Sequence, residues 1–126
     1  MQLLSILKSK IHRATVTEAN VDYVGSIALD RDLMDRTGIR QNERVHVWNV
    51  TTGARVETYA IEAQPGSGVV ALNGAAAHRF QPGDVVIVAA FCWTDEPLDP
   101  KMILVDEQNR FRTYLHTEPA LTMVEV

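Results

Sequence analysis

A serine hydroxyl that follows a glycine carbonyl is placed to attack it, and Tyr23-Val24-Gly25-Ser26 offers that pair. Attack would convert the Gly25–Ser26 amide into an ester and open a route to self-cleavage of the chain. Glycine suits the position before the bond, because it carries no Cβ to block attack and tolerates a strained backbone. The same dipeptide is also an ordinary turn signal. Other polar residues have a bland reading beside a chemical one. Lys10 and His12 could be a solvated strand face, or Lys10 could bind or steer a carboxylate. Arg55 could be a surface cation or the bidentate partner of a carboxylate. Tyr59 could be a half-buried strand aromatic or a proton donor, since a phenol keeps its proton at neutral pH. Asn73-Gly74 alone is a turn.

Several chemistries find no support. His12, His46, His78 and His116 are not at metal-ligand spacing, and no cysteine or carboxylate cluster joins them, so no metal is expected. Gly66-Ser67-Gly68 lacks the lysine and following helix of a phosphate loop. No His-Asp pair is evident to activate Ser26 as a conventional nucleophile.

The elements that must position these residues read as short strands separated by turns. Leu7 to Thr17 alternates in the strand period, with Lys8, Lys10, His12, Ala14 and Val16 on one face and Ser9, Ile11, Arg13 and Thr15 on the other. Glu18-Ala19-Asn20 breaks this run, and Tyr23 to Leu29 resumes it. Asp30 is an N-cap for a short helix carrying Leu33 and Met34, and Gly38 stops it. Val45 to Val50 and Ala54 to Ala63 form a hairpin about Thr51-Thr52-Gly53. On its return strand Arg55, Glu57, Tyr59 and Ile61 share a face, with Thr58 opposite unless a bulge intervenes. Val69 to Leu72 is a buried strand, Ala75 to His78 a single helical turn, and Val85 to Cys92 the most apolar strand, which places Cys92 in the core. After a linker over Thr94 to Pro100, Met102–Val105 and Arg110–Leu115 pair around a turn, and the tail beyond His116 is a peripheral strand or loose. Little helix and frequent short strands point to a small β-barrel.

Bulk properties bound the rest. A length of 126 residues suits one domain, 1–126. A net charge of −4 and the lack of a basic cluster speak against a nucleic-acid partner. No stretch is long and apolar enough for a membrane span, and the N-terminal apolar run is too brief for a signal peptide. The lone Cys92 excludes an intrachain disulfide. A cytoplasmic location fits.

Lys10-Ile11-His12-Arg13, Tyr23-Val24-Gly25-Ser26, Trp48-Asn49-Val50-Thr51 with Gly53-Ala54-Arg55, Thr58-Tyr59-Ala60-Ile61, Asn73-Gly74-Ala75-Ala76-Ala77-His78 and Pro82-Gly83-Asp84 stand together in this order. The set resembles the pyruvoyl-dependent aspartate 1-decarboxylases over roughly residues 4 to 95. The resemblance implies a mainly β fold, a small six-stranded double-psi β-barrel with short helices, assembled as a homotetramer with active sites between subunits. It implies decarboxylation of L-aspartate to β-alanine, a precursor of pantothenate and coenzyme A. Cleavage between Gly25 and Ser26 would leave a short chain, 1–25, and a longer one, 26–126, whose Ser26 becomes a pyruvoyl group able to form a Schiff base with the substrate amine. The roles it implies are Thr58 in processing, Tyr59 as proton donor, Arg55 and Lys10 on substrate carboxylate, Asn73, Gly74, Ala75 and Ala76 in orienting the substrate, and His12 and Tyr23 in shaping the pocket. An accessory maturation factor is a possible partner. Two competing readings are a non-enzymatic barrel akin to small DNA-binding modules, and a hydrolase that keeps Ser26 as an N-terminal nucleophile.

Overall fold

Alternation of side chains across each strand decides which face is buried. The structure, a computed structural model, describes residues 1–116. Its strands are β1 (Leu4–Thr15), β2 (Glu18–Asn20), β3 (Ser26–Asp30), β4 (Arg44–Asn49), β5 (Arg55–Ala63), β6 (Val70–Asn73), β7 (Val85–Thr94), β8 (Lys101–Val105) and β9 (Phe111–Leu115). A helix, α1 (Arg31–Thr37), follows β3, and a 3-10 turn (Gly74–Arg79) follows β6. The nine strands form one sheet in the order β2-β6-β3-β5-β4-β7-β1-β8-β9. The protein is therefore mainly β, as expected, but the described residues carry nine strands where six were expected. The tail expected beyond His116 lies outside the described residues.

The inner face carries the core: Ile11 of β1, Ile27 and Leu29 of β3, Val45 and Val47 of β4, Leu72 of β6, and Val86, Val88 and Ala90 of β7. Cys92 continues that inward set near the strand's end but is only half-buried, so its expected core role is partial.

Strict alternation along β1 fails, and the reason is local. The pairing with β7 shifts between Leu7 and Ser9 and again between Ile11 and Ala14. Arg13 sits at the second shift with φ 63. A bulge inserts a residue and flips the parity that follows. Ser9 and Ile11 are buried before the bulge, Ala14 and Val16 after it. Ala14 and Val16 thus leave the face that Lys10 and His12 share.

Glu18-Ala19-Asn20 also differs from expectation. These residues form β2, paired in parallel with β6. The turn lies later, at Val21 and Asp22, where Asn20 Oδ1 accepts from the Asp22 amide at 3.0 Å. Strand β3 begins only at Ser26.

Helix α1 follows the sequence reading. The Asp30 carboxylate accepts from the Asp32 amide, and Gly38 closes the helix in the left-handed conformation with its N–H on the Met34 carbonyl. Asp30 also accepts from Gly66 N at 3.0 Å and Gly68 N at 2.9 Å, tying the helix start to the β5–β6 turn. Hairpin β4–β5 keeps register from Arg44↔Tyr59 to Trp48↔Arg55 without a shift. Thr58 therefore stays on the face opposite Tyr59. Among the described residues, no helix is long and apolar enough to cross a membrane.

Candidate active site

Ser26 lies where three strands meet. Strand β3 runs between β6 and β5, antiparallel to the first with Ser26↔Asn73 and parallel to the second with Ile27↔Ala60. Ser26 and Tyr59 each stand one residue before that last pair, so they are neighbours on one face. Asn73, Ser26, Tyr59 and Arg44 thus form a row across β6, β3, β5 and β4. Ser26 is 2% exposed. Its Oγ accepts from Asn73 Nδ2 at 3.1 Å. Its φ is 142, a region that costs a non-glycine residue about 1–3 kcal/mol and persists only where the surroundings impose it.

A cavity of about 350 Å³ opens on this row, lined by Tyr23, Val24, Gly25, Ser26, Tyr59, Ile61 and Asn73. Tyr23 and Val24 are exposed rims, and Tyr59, 36% exposed, presents its ring to solvent beside Ser26. A volume of this size suits a small metabolite. The structure thus brings together Tyr23, Gly25, Ser26, Tyr59 and Asn73 of the predicted residues. The sequence reading missed Val24 and Ile61 as lining residues. Ile61 could have been found, because it follows Tyr59 by one strand repeat.

The other predicted residues stand outside the cavity of this chain. Gly74 is buried directly after Asn73, while Ala75 is exposed and Ala76 half-buried in the 3-10 turn. Thr58 is half-buried on the opposite face of β5. Arg55 lies four residues from Tyr59, roughly 13 Å along a strand, with its guanidinium 4.7 Å from the centre of the Trp48 ring. Lys10 pairs with Ala89, which pairs with His46, which pairs with Glu57. Lys10, Arg55 and Tyr59 therefore share the outer face of the sheet, but Lys10 is three interstrand gaps from β5, about 14 Å. His12 follows Lys10 on that face, half-buried. Among the described residues no group of three His, Cys, Asp or Glu side chains is placed to hold a metal ion.

The fold and cavity define a small β-sheet protein with a pocket over a buried, strained serine. A family model described as aspartate decarboxylase matches residues 1–112. The aspartate 1-decarboxylase of Stenotrophomonas maltophilia (strain K279a) is 55% identical over 111 residues, covering 85% of this chain and 88% of that protein. That of Myxococcus xanthus (strain DK1622) is 52% identical over 109 residues, covering 83% and 84%. That of Xanthomonas campestris pv. campestris (strain B100) is 50% identical over 120 residues, covering 92% and 95%. The crystal structure of a rationally designed protein superposes with a TM-score of 0.46 at 21% identity, over 61% of this chain and 90% of that one. The chain belongs to the aspartate decarboxylase family. The match extends past the expected limit near residue 95, through β8 and into β9, and family membership displaces the non-enzymatic reading.

Proposed function

We propose that this chain is a self-cleaving, pyruvoyl-dependent aspartate 1-decarboxylase that converts L-aspartate to β-alanine and CO₂. The observation that carries the reading is the buried Ser26, strained at φ 142, with its hydroxyl held by Asn73 at the floor of the cavity. In the first step the Ser26 Oγ–Gly25 carbonyl bond forms and the Gly25–Ser26 C–N bond breaks, with the hydroxyl proton passing to the freed nitrogen. Loss of the Ser26 Cα proton then expels the Gly25 carboxylate. Tautomerisation and hydrolysis release ammonia and leave a ketone at position 26. Cleavage frees the chain to relax the backbone strain at Ser26. Thr58 stands next to Tyr59 in β5, the strand that pairs with β3, and we assign it a part in positioning the carbonyl on the strength of the resemblance.

The residues around Ser26 fit such a group, because the position is buried, has an amide donor in hand and opens on a cavity of about 350 Å³. The pyruvoyl ketone supplies an electron sink that ordinary side chains lack. Tyr59, beside Ser26, delivers the proton that replaces CO₂. The Asn73 amide and the Gly74-Ala75-Ala76 backbone orient the substrate, and Tyr23 forms the pocket wall. Arg55 and Lys10 supply charge for the carboxylates but lie too far along the outer face to serve this chain's own Ser26. A neighbouring copy would bring them, which supports a homotetramer with sites between subunits and includes His12 of the same strand face. A six-stranded double-psi barrel is supported by continuity: β1 runs into β2 after two residues, so β1–β2, β6, β3, β5, β4 and β7 can close as a ring, with β8 and β9 outside it. We place the enzyme in the cytoplasm, supplying β-alanine for pantothenate and coenzyme A.

An intact-mass spectrum tests the reading. Mature protein should give fragments 1–25 and 26–126, the longer beginning with a ketone, and Ser26→Ala should remain one folded chain. A mature, active preparation consisting of one intact chain would overturn it. A longer fragment beginning with serine would favour the N-terminal nucleophile instead.

A further inference from the structure

At the cleavage site the glycine that packing against other segments demands is Gly74, not Gly25. A Cβ built on Gly25 meets nothing within 4 Å beyond its chain neighbours. A Cβ built on Gly74 would stand 2.6 Å from the Gly25 Cα, 2.9 Å from the Gly25 N and 3.1 Å from the Tyr23 carbonyl oxygen. All three are backbone atoms, so no side-chain rotation relieves the clash. Gly74 also has φ 69, a conformation glycine adopts freely.

The placement of Gly74 gives this contact a purpose. Strand β6 ends at Asn73, whose amide holds the Ser26 hydroxyl at 3.1 Å and whose backbone pairs with Ser26. The next residue, Gly74, receives the Gly25 backbone. Two consecutive residues therefore grip the two sides of the bond, the nucleophile by hydrogen bonding and the acyl side by close packing. The segment being gripped has few other restraints: Tyr23 and Val24 are 61% and 85% exposed.

We propose that Gly74 is a positioning residue for self-cleavage, its bare Cα forming the seat that holds the Gly25 backbone in line with the Ser26 hydroxyl. The proposal rests on the self-cleaving reading above and adds to it a role before, and separate from, any part in substrate binding. A side chain at position 74 lifts the 23–25 segment off its seat. The nucleophile stays on Asn73 while the carbonyl moves, and a displacement of about 1 Å costs a reaction of this kind roughly a hundredfold.

The test compares four full-length chains, purified immediately after synthesis: the parent, Gly74→Ala, Gly74→Asn and Gly83→Ala. Gly83 is a control for backbone conformation alone, since its φ is 95 and a Cβ there meets nothing within 4 Å. Thermal melting reports the fold, and intact mass over time reports cleavage. Hydroxylamine, added during maturation, reports the ester, because it takes the acyl group as a Gly25 hydroxamate and leaves a fragment beginning with Ser26. The parent and Gly83→Ala should cleave alike and yield the hydroxamate. Gly74→Ala should fold and cleave about a hundredfold more slowly, with hydroxamate forming at that same reduced rate, which places the defect before ester formation; hydroxamate at the parent rate would place it later and overturn the proposal. Gly74→Ala that folds and cleaves at the parent rate would overturn the proposal while leaving the decarboxylase reading intact. Loss of fold in Gly74→Ala and in Gly74→Asn, which tolerates the left-handed conformation better, would overturn it too, by making Gly74 a requirement of the barrel. A parent that never cleaves would instead remove the reading on which the proposal rests.

Discussion

At the scale of the residue, proximity and chemistry separate cleanly at Tyr59. Its ring borders the cavity beside Ser26, yet it is 36% exposed and on the face away from the core. Deleting its hydroxyl removes a proton and leaves packing alone. Tyr59→Phe should therefore fold, cleave fully into 1–25 and 26–126, and lose decarboxylation by about 10²–10⁴-fold. Carbon dioxide release measured beside intact mass checks this, and a cleaved variant as active as the parent would remove Tyr59 from the proton transfer. Gly25-Ser26, Thr58-Tyr59 and Asn73-Gly74 could be singled out because each belongs to a short motif that resembles one family's; Gly25-Ser26 and Asn73-Gly74 stand at strand ends, while Thr58-Tyr59 lies within β5. Ile61 was not singled out, since an isoleucine one strand repeat beyond a tyrosine looks like any strand residue. The part of a second glycine was not visible. A sequence shows that residue 25 has no side chain, but only the packing of Gly74 on the Gly25 Cα shows where a side chain would do harm.

At the scale of the element, most strands and the capped helix could be read from alternation and turn residues. The bulge at Arg13 could not, because arginine carries no mark of a left-handed backbone, and everything after it in β1 changes face. What holds that region is a buried asparagine from the far end of the chain. Asn109, 1% exposed, donates through Nδ2 to the Thr15 and Gly68 carbonyls at 2.8 Å each. Its Oδ1 accepts from the Thr15 amide at 2.8 Å. One side chain thus joins the β8–β9 turn to the end of β1 and to the turn before β6, which leads to Asn73 and Gly74. Asn109→Ala would leave three backbone groups without their partner. At about 1 kcal/mol or more for each, the cost should be roughly 3 kcal/mol. Urea unfolding of the uncleaved Ser26→Ala chain, with and without Asn109→Ala, measures it as a fall in midpoint with an unchanged slope. A change below about 0.5 kcal/mol, the range of ordinary surface substitutions, would show that the region does not depend on this link.

At the scale of the molecule, the outer face of β5, β4, β7 and β1 is both charged and aromatic, which is unusual for a surface that meets only water. His46 sits edge-on to Phe91 at 5.3 Å and tilted to Trp48 at 6.1 Å, and its Nε2 lies 3.2 Å from Glu57. Trp93, 66% exposed, continues the aromatic run. Ser5, Glu43, Arg44, His46, Glu57, Phe91 and Trp93 enclose a second depression of about 340 Å³. Composition alone could not reveal this face, because each aromatic belongs to a strand whose other side is core, and pairing across four strands brings them together. Lys10 and Arg55 lie on the same face, too far from Ser26 to serve the site within one chain. If self-association through this face completes the site, its loss should separate cleavage from catalysis. Trp93→Glu puts a charge amid the aromatic run without touching the cavity over Ser26. Sedimentation should show the parent as an oligomer and Trp93→Glu as a smaller species. The variant should still yield fragments 1–25 and 26–126, since Gly25, Ser26, Asn73 and Gly74 all belong to one chain, but its decarboxylation should fall at least tenfold. Mixing Trp93→Glu with parent should not restore it. A fully active, smaller species would mean that Lys10 and Arg55 act within their own subunit or not at all.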